Sequence, residues 1–194
     1  MSVSLDEKSA LIITDVQKDF CPGGALPVPG GDEVIPFLNA YQERIMAAKG
    51  VLVFTRDWHP ANHKSFKENG GIWPVHCVQN TPGAAFHPDL KFPTTAVLVS
   101  KASDPDKEAY SSFEGTDLEI YLRRLGVTTL FVGGLATDYC VKNTALDGRK
   151  FGFSVYFLED ASRGVNVQPG DSSKAIEQMK TAGIRAITLD EIQP

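Results

Sequence analysis

The chain is poor in the features that mark nucleic-acid, membrane or disulfide-stapled proteins. Its three cysteines, Cys21, Cys77 and Cys140, are an odd number with no CxxC pair and no zinc-finger spacing. With no export signal in view, this argues against a disulfide framework, and reduced thiols are expected. Nineteen Lys and Arg are interleaved with 24 Asp and Glu, for a net charge of −5 and no basic block. That balance argues against a nucleic-acid footprint and against docking on an anionic membrane surface. No apolar run approaches the ~20 residues that span a bilayer. The opening Met1-Ser-Val-Ser-Leu-Asp-Glu-Lys8 is too polar for a signal peptide. A soluble, cytoplasmic protein with neither nucleic-acid nor membrane partner is expected. Internal repeats, linkers and low-complexity stretches are also missing.

What is present is enough apolar residue for one substantial core: 194 residues, 42% hydrophobic, read as a single domain over 1–194. Apolar, β-prone runs occupy Ala10–Thr14, Val51–Thr55, Ala96–Ser100, Thr128–Val132, Phe153–Leu158 and Arg185–Leu189. Between them, apolar residues at helical spacing fall in Asp32–Lys49, Leu118–Leu125, Cys140–Arg149 and Ser172–Ala182, three of them stopped by Gly50, Gly126 and Gly183. Nearly continuous apolar strands separated by helices predict a three-layer α/β/α domain with a mostly parallel central sheet. One irregular stretch, roughly Arg56 to Thr95, is too long for a plain connection, and its Pro, Gly, His, Trp and Asn content predicts a functional loop.

Ligands of open parallel sheets bind beyond the carboxyl ends of the strands. Those ends carry Asp15, Asp57, Lys101 and, past the Gly133-Gly134 turn, Cys140. Cys140 falls in the first turn of the expected helix, where Thr137 or Asp138 is the candidate N-cap and the dipole favours a thiolate. A small buried hydrophobe is the competing reading of a free cysteine. Asp15 is either a turn cap or a general base, and Lys101 either a solvated charge or the cation that favours a thiolate. Together they supply base, cation and nucleophile without a histidine. A second set, Asp57-Trp-His59 with His76, places a carboxylate and two imidazoles where a borderline divalent ion could be held. Alternate residues of an extended segment point the same way. His63, four residues beyond His59, is a candidate fourth ligand or a supporting group.

Several blocks carry a resemblance over essentially the full length. They are Asp15-Val-Gln-Lys-Asp-Phe-Cys-Pro-Gly-Gly-Ala-Leu26, Thr55-Arg-Asp-Trp-His-Pro-Ala-Asn-His-Lys-Ser-Phe66, Trp73-Pro-Val-His-Cys-Val-Gln-Asn-Thr-Pro-Gly83, Lys101-Ala-Ser-Asp-Pro-Asp-Lys-Glu-Ala-Tyr-Ser-Ser-Phe113 and Gly134-Leu-Ala-Thr-Asp-Tyr-Cys-Val141. In these blocks the chain resembles the nicotinamidases of the isochorismatase-like cysteine hydrolase superfamily. The resemblance implies deamidation of nicotinamide to nicotinic acid and ammonia through a thioester, as in NAD salvage. It implies Asp15, Lys101 and Cys140 as the catalytic triad, and Asp57, His59 and His76 as ligands of one divalent metal, zinc first, with manganese or iron as alternatives. It also implies a cis peptide at Leu135–Ala136, with the N–H groups of Ala136 and Cys140 as oxyanion hole. Phe20, Trp73, Leu135 and Ala136 are implied around the substrate, and a homo-oligomer is left open. Two alternatives stand beside it. One is a sibling hydrolase acting on isochorismate, N-carbamoyl compounds or other small amides. The other is a binding or thiol-redox protein on the same scaffold.

Overall fold

The structure, a computed structural model, describes residues 2–193. Its elements run β1 (Val3–Ser4), β2 (Ser9–Thr14), α1 (Val34–Ala47), β3 (Val51–Asp57), β4 (Val97–Lys101), α2 (Leu118–Arg124), β5 (Thr129–Leu135), α3 (Lys142–Lys150), β6 (Ser154–Arg163), α4 (Asp171–Thr181), β7 (Arg185–Ile187) and β8 (Ile192–Gln193). All six residues of β2 are buried, which a strand tolerates only where both faces of its sheet are covered. β2 pairs in parallel with β3 on one side and β5 on the other, and the full sheet has the order β4-β3-β2-β5-β6-β7. The remaining pairings, β3 with β4, β5 with β6 and β6 with β7, are parallel too.

Alternation along the strands divides the core in two. Leu11, Ile13, Leu52, Phe54 and Phe131 pack with Leu38, Tyr41 and Ile45 of α1. Ala10, Ile12, Val53, Leu130 and Val132 pack with Leu118 and Leu122 of α2, Ala145 of α3 and Met179 of α4. The three-layer α/β/α arrangement expected from the sequence is the one found. After β4 the chain crosses through α2 to β5, on the far side of β2. β2 and β5 are therefore neighbours from which the chain leaves in opposite directions, and the crevice for a ligand opens beyond their carboxyl ends.

Several boundaries differ from the sequence expectation. α1 begins at Val34 after a 3-10 turn at Gly31–Glu33, and β7 ends at Ile187 before a 3-10 turn at Leu189–Glu191. β1 and β8 pair in parallel, joining the two ends of the described chain through Val3↔Ile192 and Ser4↔Gln193. Two residues each are too few for a periodic signal. The stretch between β3 and β4 contains only single 3-10 turns, and is drawn in by isolated bridges His59↔Val78, Phe66↔Trp73 and Gln17↔Phe86. No helix among the described residues is long and apolar enough to cross a membrane.

Candidate active site

The strand ends converge on one ammonium. Lys101 closes β4 with its side chain fully buried, and its Nζ lies 2.9 Å from Asp15 Oδ2 and 3.4 Å from Cys140 Sγ. The same Nζ bonds Asp57 Oδ1 and donates to the Ala109 carbonyl at 3.2 Å. A buried lysine would shed its proton; here burial pulls its pKa down but Asp15, Asp57 and Cys140 more than reverse this, holding it well above the ordinary lysine value. Burial would likewise raise Asp57, but Lys101 and then His59 and His76 outweigh it, so this carboxyl lies below the usual range. At Asp15 burial prevails over Lys101, and the pKa is raised. One cation thus serves two carboxylates unequally.

Local backbone geometry makes the convergence. Asp15 takes a left-handed conformation (φ 50°) as the chain leaves β2, and Ala102 does the same (φ 52°) just past Lys101. Such values are uncommon outside glycine and turn the chain sharply off the sheet. Thr55 of β3 donates its hydroxyl to Asp15 Oδ1 at 2.7 Å. At Gly134 (φ 111°) an added Cβ would stand 2.2 Å from the Thr14 carbonyl oxygen, so only glycine lets β5 come this close to β2.

Cys140 departs from the sequence expectation in two respects. It sits in a wide turn, Thr137–Val141, in which the Val141 N–H donates to the Ala136 carbonyl, and α3 begins only at Lys142. Neither proposed cap acts as one: Thr137 Oγ1 bonds Ser162 Oγ at 2.7 Å, and Asp138 turns to the backbone of Val165 and Asn166. Nor does the turn favour a thiolate. Burial raises the Cys140 pKa, Lys101 opposes, and Asp15 and Asp57 raise it again, leaving it well above the ordinary thiol value. Burial thus favours the protonated thiol, beside a carboxylate whose proton affinity is itself raised. The peptide Leu135–Ala136 is cis.

Beside this cluster lies a nitrogen-rich corner. Ligand atoms of Asp57, His59 and His76 lie within 4.8 Å of one another. Both ring nitrogens of His59 are buried without a hydrogen-bond partner among the described residues, an arrangement that costs free energy unless an ion engages one of them. His76 Nδ1 meets the Pro74 carbonyl at 2.7 Å, so Nδ1 carries the proton and Nε2 keeps its lone pair. Burial also lowers the His76 pKa, against the pull of Asp57. Two imidazoles and one carboxylate fit a borderline divalent ion with positions left for water or substrate. His63 is not part of this set. Its Nδ1 bonds Ser65 Oγ at 2.7 Å and its Nε2 the Lys107 carbonyl at 2.9 Å, and its ring lies 4.3 Å from that of His59. It supports the corner from behind.

The thiol and the corner open into one cavity walled mainly by aromatic and aliphatic side chains, with a few polar groups converging on it. Phe20, Trp73, Leu135 and Ala136, named from the sequence, all line it, as do Leu26, Tyr110, Tyr139 and Val165, which were not. Tyr110 accepts from Trp73 Nε1 at 3.1 Å, and Tyr139 meets the Trp73 ring edge-on at 5.0 Å. Sequence reading also passed over Gln17, whose carboxamide clamps both backbone groups of Asp57: Nε2 donates to the Asp57 carbonyl, and Oε1 accepts its N–H, each at 2.8 Å. The available signal was position alone, since Gln17 lies just past the end of β2, two residues beyond Asp15.

A parallel α/β/α sheet with a thiol, an ammonium and two carboxylates at its switch point defines an isochorismatase-like protein. The chain belongs to the isochorismatase family, whose domain matches residues 9–191. It is 39% identical over 201 residues to the nicotinamidase of Escherichia coli K12, covering 93% of this chain and 94% of that one. Among solved structures it is similar to the pyrazinamidase of Pyrococcus horikoshii in complex with zinc, with 53% identity, a TM-score of 0.90, and coverage of 94% and 99%. It is also similar to PnC1 of L. infantum in complex with nicotinate, with 35% identity, a TM-score of 0.92, and coverage of 100% and 99%.

Proposed function

We propose that the protein is a nicotinamidase, which hydrolyses the carboxamide of nicotinamide to nicotinic acid and ammonia. The observation that carries this reading is the Lys101 ammonium 2.9 Å from Asp15 and 3.4 Å from Cys140, beside a buried histidine pair on the same cavity. The relatives support it: one is named a nicotinamidase and one is solved with nicotinate. Burial favours the protonated thiol of Cys140, so its attack on the carboxamide carbon needs a base at hand. Asp15, with its raised proton affinity, takes that proton as the C–S bond forms. The N–H groups of Ala136 and Cys140 receive the developing oxyanion. Asp15 then passes the proton to the departing nitrogen, the C–N bond breaks, and ammonia leaves a thioester on Cys140. In the second half Asp15 takes a proton from water, hydroxide adds to the thioester, and the thiolate leaves and is reprotonated, releasing nicotinic acid. Lys101 stays protonated throughout and keeps the negative charges of the two half-reactions compensated.

Asp57, His59 and His76 would hold one divalent ion, zinc in the first place, with His63 and Pro74 fixing the imidazoles. When bound, that ion supplies a Lewis-acid contact for the pyridine nitrogen. Phe20 and Trp73 flank the ring. The lining of the cavity holds no Arg or Lys among the described residues, which disfavours a dianion such as isochorismate. The test is ammonia release from nicotinamide by protein of measured metal content. Cys140→Ala should abolish it, while a Cys21→Ala/Cys77→Ala double variant should retain it. Wild-type protein that binds nicotinamide but releases no ammonia would refute the reading.

A further inference from the structure

Asp138 stands two residues before the thiol and points away from it. Its Oδ1 accepts the N–H of Val165 at 2.9 Å, and its Oδ2 the N–H of Asn166 at 2.7 Å. The residue is only 5% exposed, so both bonds are shielded from water. The loop they hold joins β6 to α4. Val165 lines the cavity. Asn166 is left-handed (φ 52°), and its Oδ1 accepts the N–H of Ser172 in α4 at 2.9 Å. At Gly164 an added Cβ would lie 1.8 Å from Ser172 Oγ, so the loop enters against α4 with no room to spare. Residues 164–166 are thus pinned from the nucleophile turn on one side and from α4 on the other.

We propose that Asp138 is a positioning residue that sets substrate selectivity: it holds Val165 as the cavity wall that excludes carboxamides with substituents on the ring. This rests on the amide-hydrolase reading above. Because the anchor and the nucleophile share one turn, the wall keeps a fixed place relative to the sulfur. An apolar wall of this kind discriminates against one added methyl group by about tenfold or more.

The test uses Asp138→Ala, Asp138→Asn and Val165→Ala with two measurements. Hydrogen exchange over residues 164–170 reports the anchor whether or not the protein turns over. Ammonia release from nicotinamide and from ring-methylated nicotinamides reports the wall, as the ratio of kcat/KM values. Asp138→Ala should speed exchange in the loop and raise the methylated-to-plain ratio about tenfold. Asp138→Asn, which keeps one acceptor, should fall between it and wild type and should survive if the alanine variant does not fold. Val165→Ala should raise the ratio while exchange stays slow. Unchanged exchange in both Asp138 variants overturns the anchor, and an unchanged ratio in Val165→Ala overturns the wall. If wild-type protein releases no ammonia, the hydrolase reading fails, and the exchange data alone decide the anchor.

Discussion

The thiol cluster and the histidine corner share a cavity but are built by opposite means. Asp15 and Lys101 sit where strands end, so the ladder of the parallel sheet fixes their spacing, and Cys140 reaches them from the turn that follows β5. His59 and His76 come from the long connection between β3 and β4, which has no regular element to fix it. Their places depend on polar tethers instead: Asp19 Oδ2 accepts the Cys77 N–H at 2.7 Å, Gln79 Nε2 donates to the Trp58 carbonyl at 2.8 Å, and Pro74 holds His76. Only Asp57 belongs to both regions, with Oδ1 on Lys101 and Oδ2 3.6 Å from His59 Nε2. The thiol cluster rests on the sheet and the turn beside it, and the histidine corner rests on a connection held by side chains.

The largest break in this comparison should come from Lys101→Met, which keeps the stem and removes the charge. Asp15 and Asp57 would then face each other, fully buried, with no cation. Removing one partner of a buried ion pair costs about 3–5 kcal/mol, or a loss of about 10 °C in Tm for a chain of this size. Ammonia release should fall by about 10³-fold or more, because the residues act as a unit. Calorimetry and a product assay check both. A variant with native Tm and native rate would show that the ammonium is neither a structural nor a catalytic centre.

That difference in construction also explains what could be read from sequence. Ala10–Thr14 and Val51–Thr55 are apolar on both faces, a pattern only a covered parallel strand needs, so the sheet and its chemistry-bearing ends were legible. Asp57-x-His59 was legible for a similar reason, since an extended segment aims alternate residues together. His63 was not assignable, because whether an imidazole binds an ion or a neighbour depends on which carbonyl lies behind it, here that of Lys107. Asp138 looked like a helix cap because its true partners, Val165 and Asn166, are 27 and 28 residues away. The upward shift of the Cys140 pKa has the same cause. Dipole and cation are visible locally, whereas the burial that outweighs them is a property of the whole fold.

Gln17 gives a sharper cut between the two regions, since it bonds only backbone. It is fully buried, and its side-chain bonds go to Asp57 and to the Ala84 carbonyl, the latter at 2.9 Å. Gln17→Ala should leave the Lys101 cluster populated but let Asp57 drift at the corner. Supporting residues of this kind change metal affinity by about 10–100-fold, so competition against a chromophoric chelator should show weaker retention of zinc. Gln17→Glu, which keeps the acceptor for the Asp57 N–H, should recover part of it. A lower Tm with unchanged zinc affinity would mean that the clamp serves the fold alone.

The smallest expected effect concerns the two carboxylates on one ammonium. Asp15 can take a proton from the thiol only when ionised, so kcat/KM should fall as pH drops through its pKa. Burial raises that pKa, and Lys101 and the Thr55 hydroxyl bring it partly back. The acid limb should therefore lie above the ordinary aspartate value of about 3.9. Thr55→Val keeps the shape and removes the hydroxyl that donates to Asp15 Oδ1 at 2.7 Å. Losing a donor to the charged form favours the protonated form, so the limb should move to still higher pH while the plateau rate changes little. A limb that stays put would mean that the titrating group is another one, and a limb that moves down would exclude Asp15 as the base.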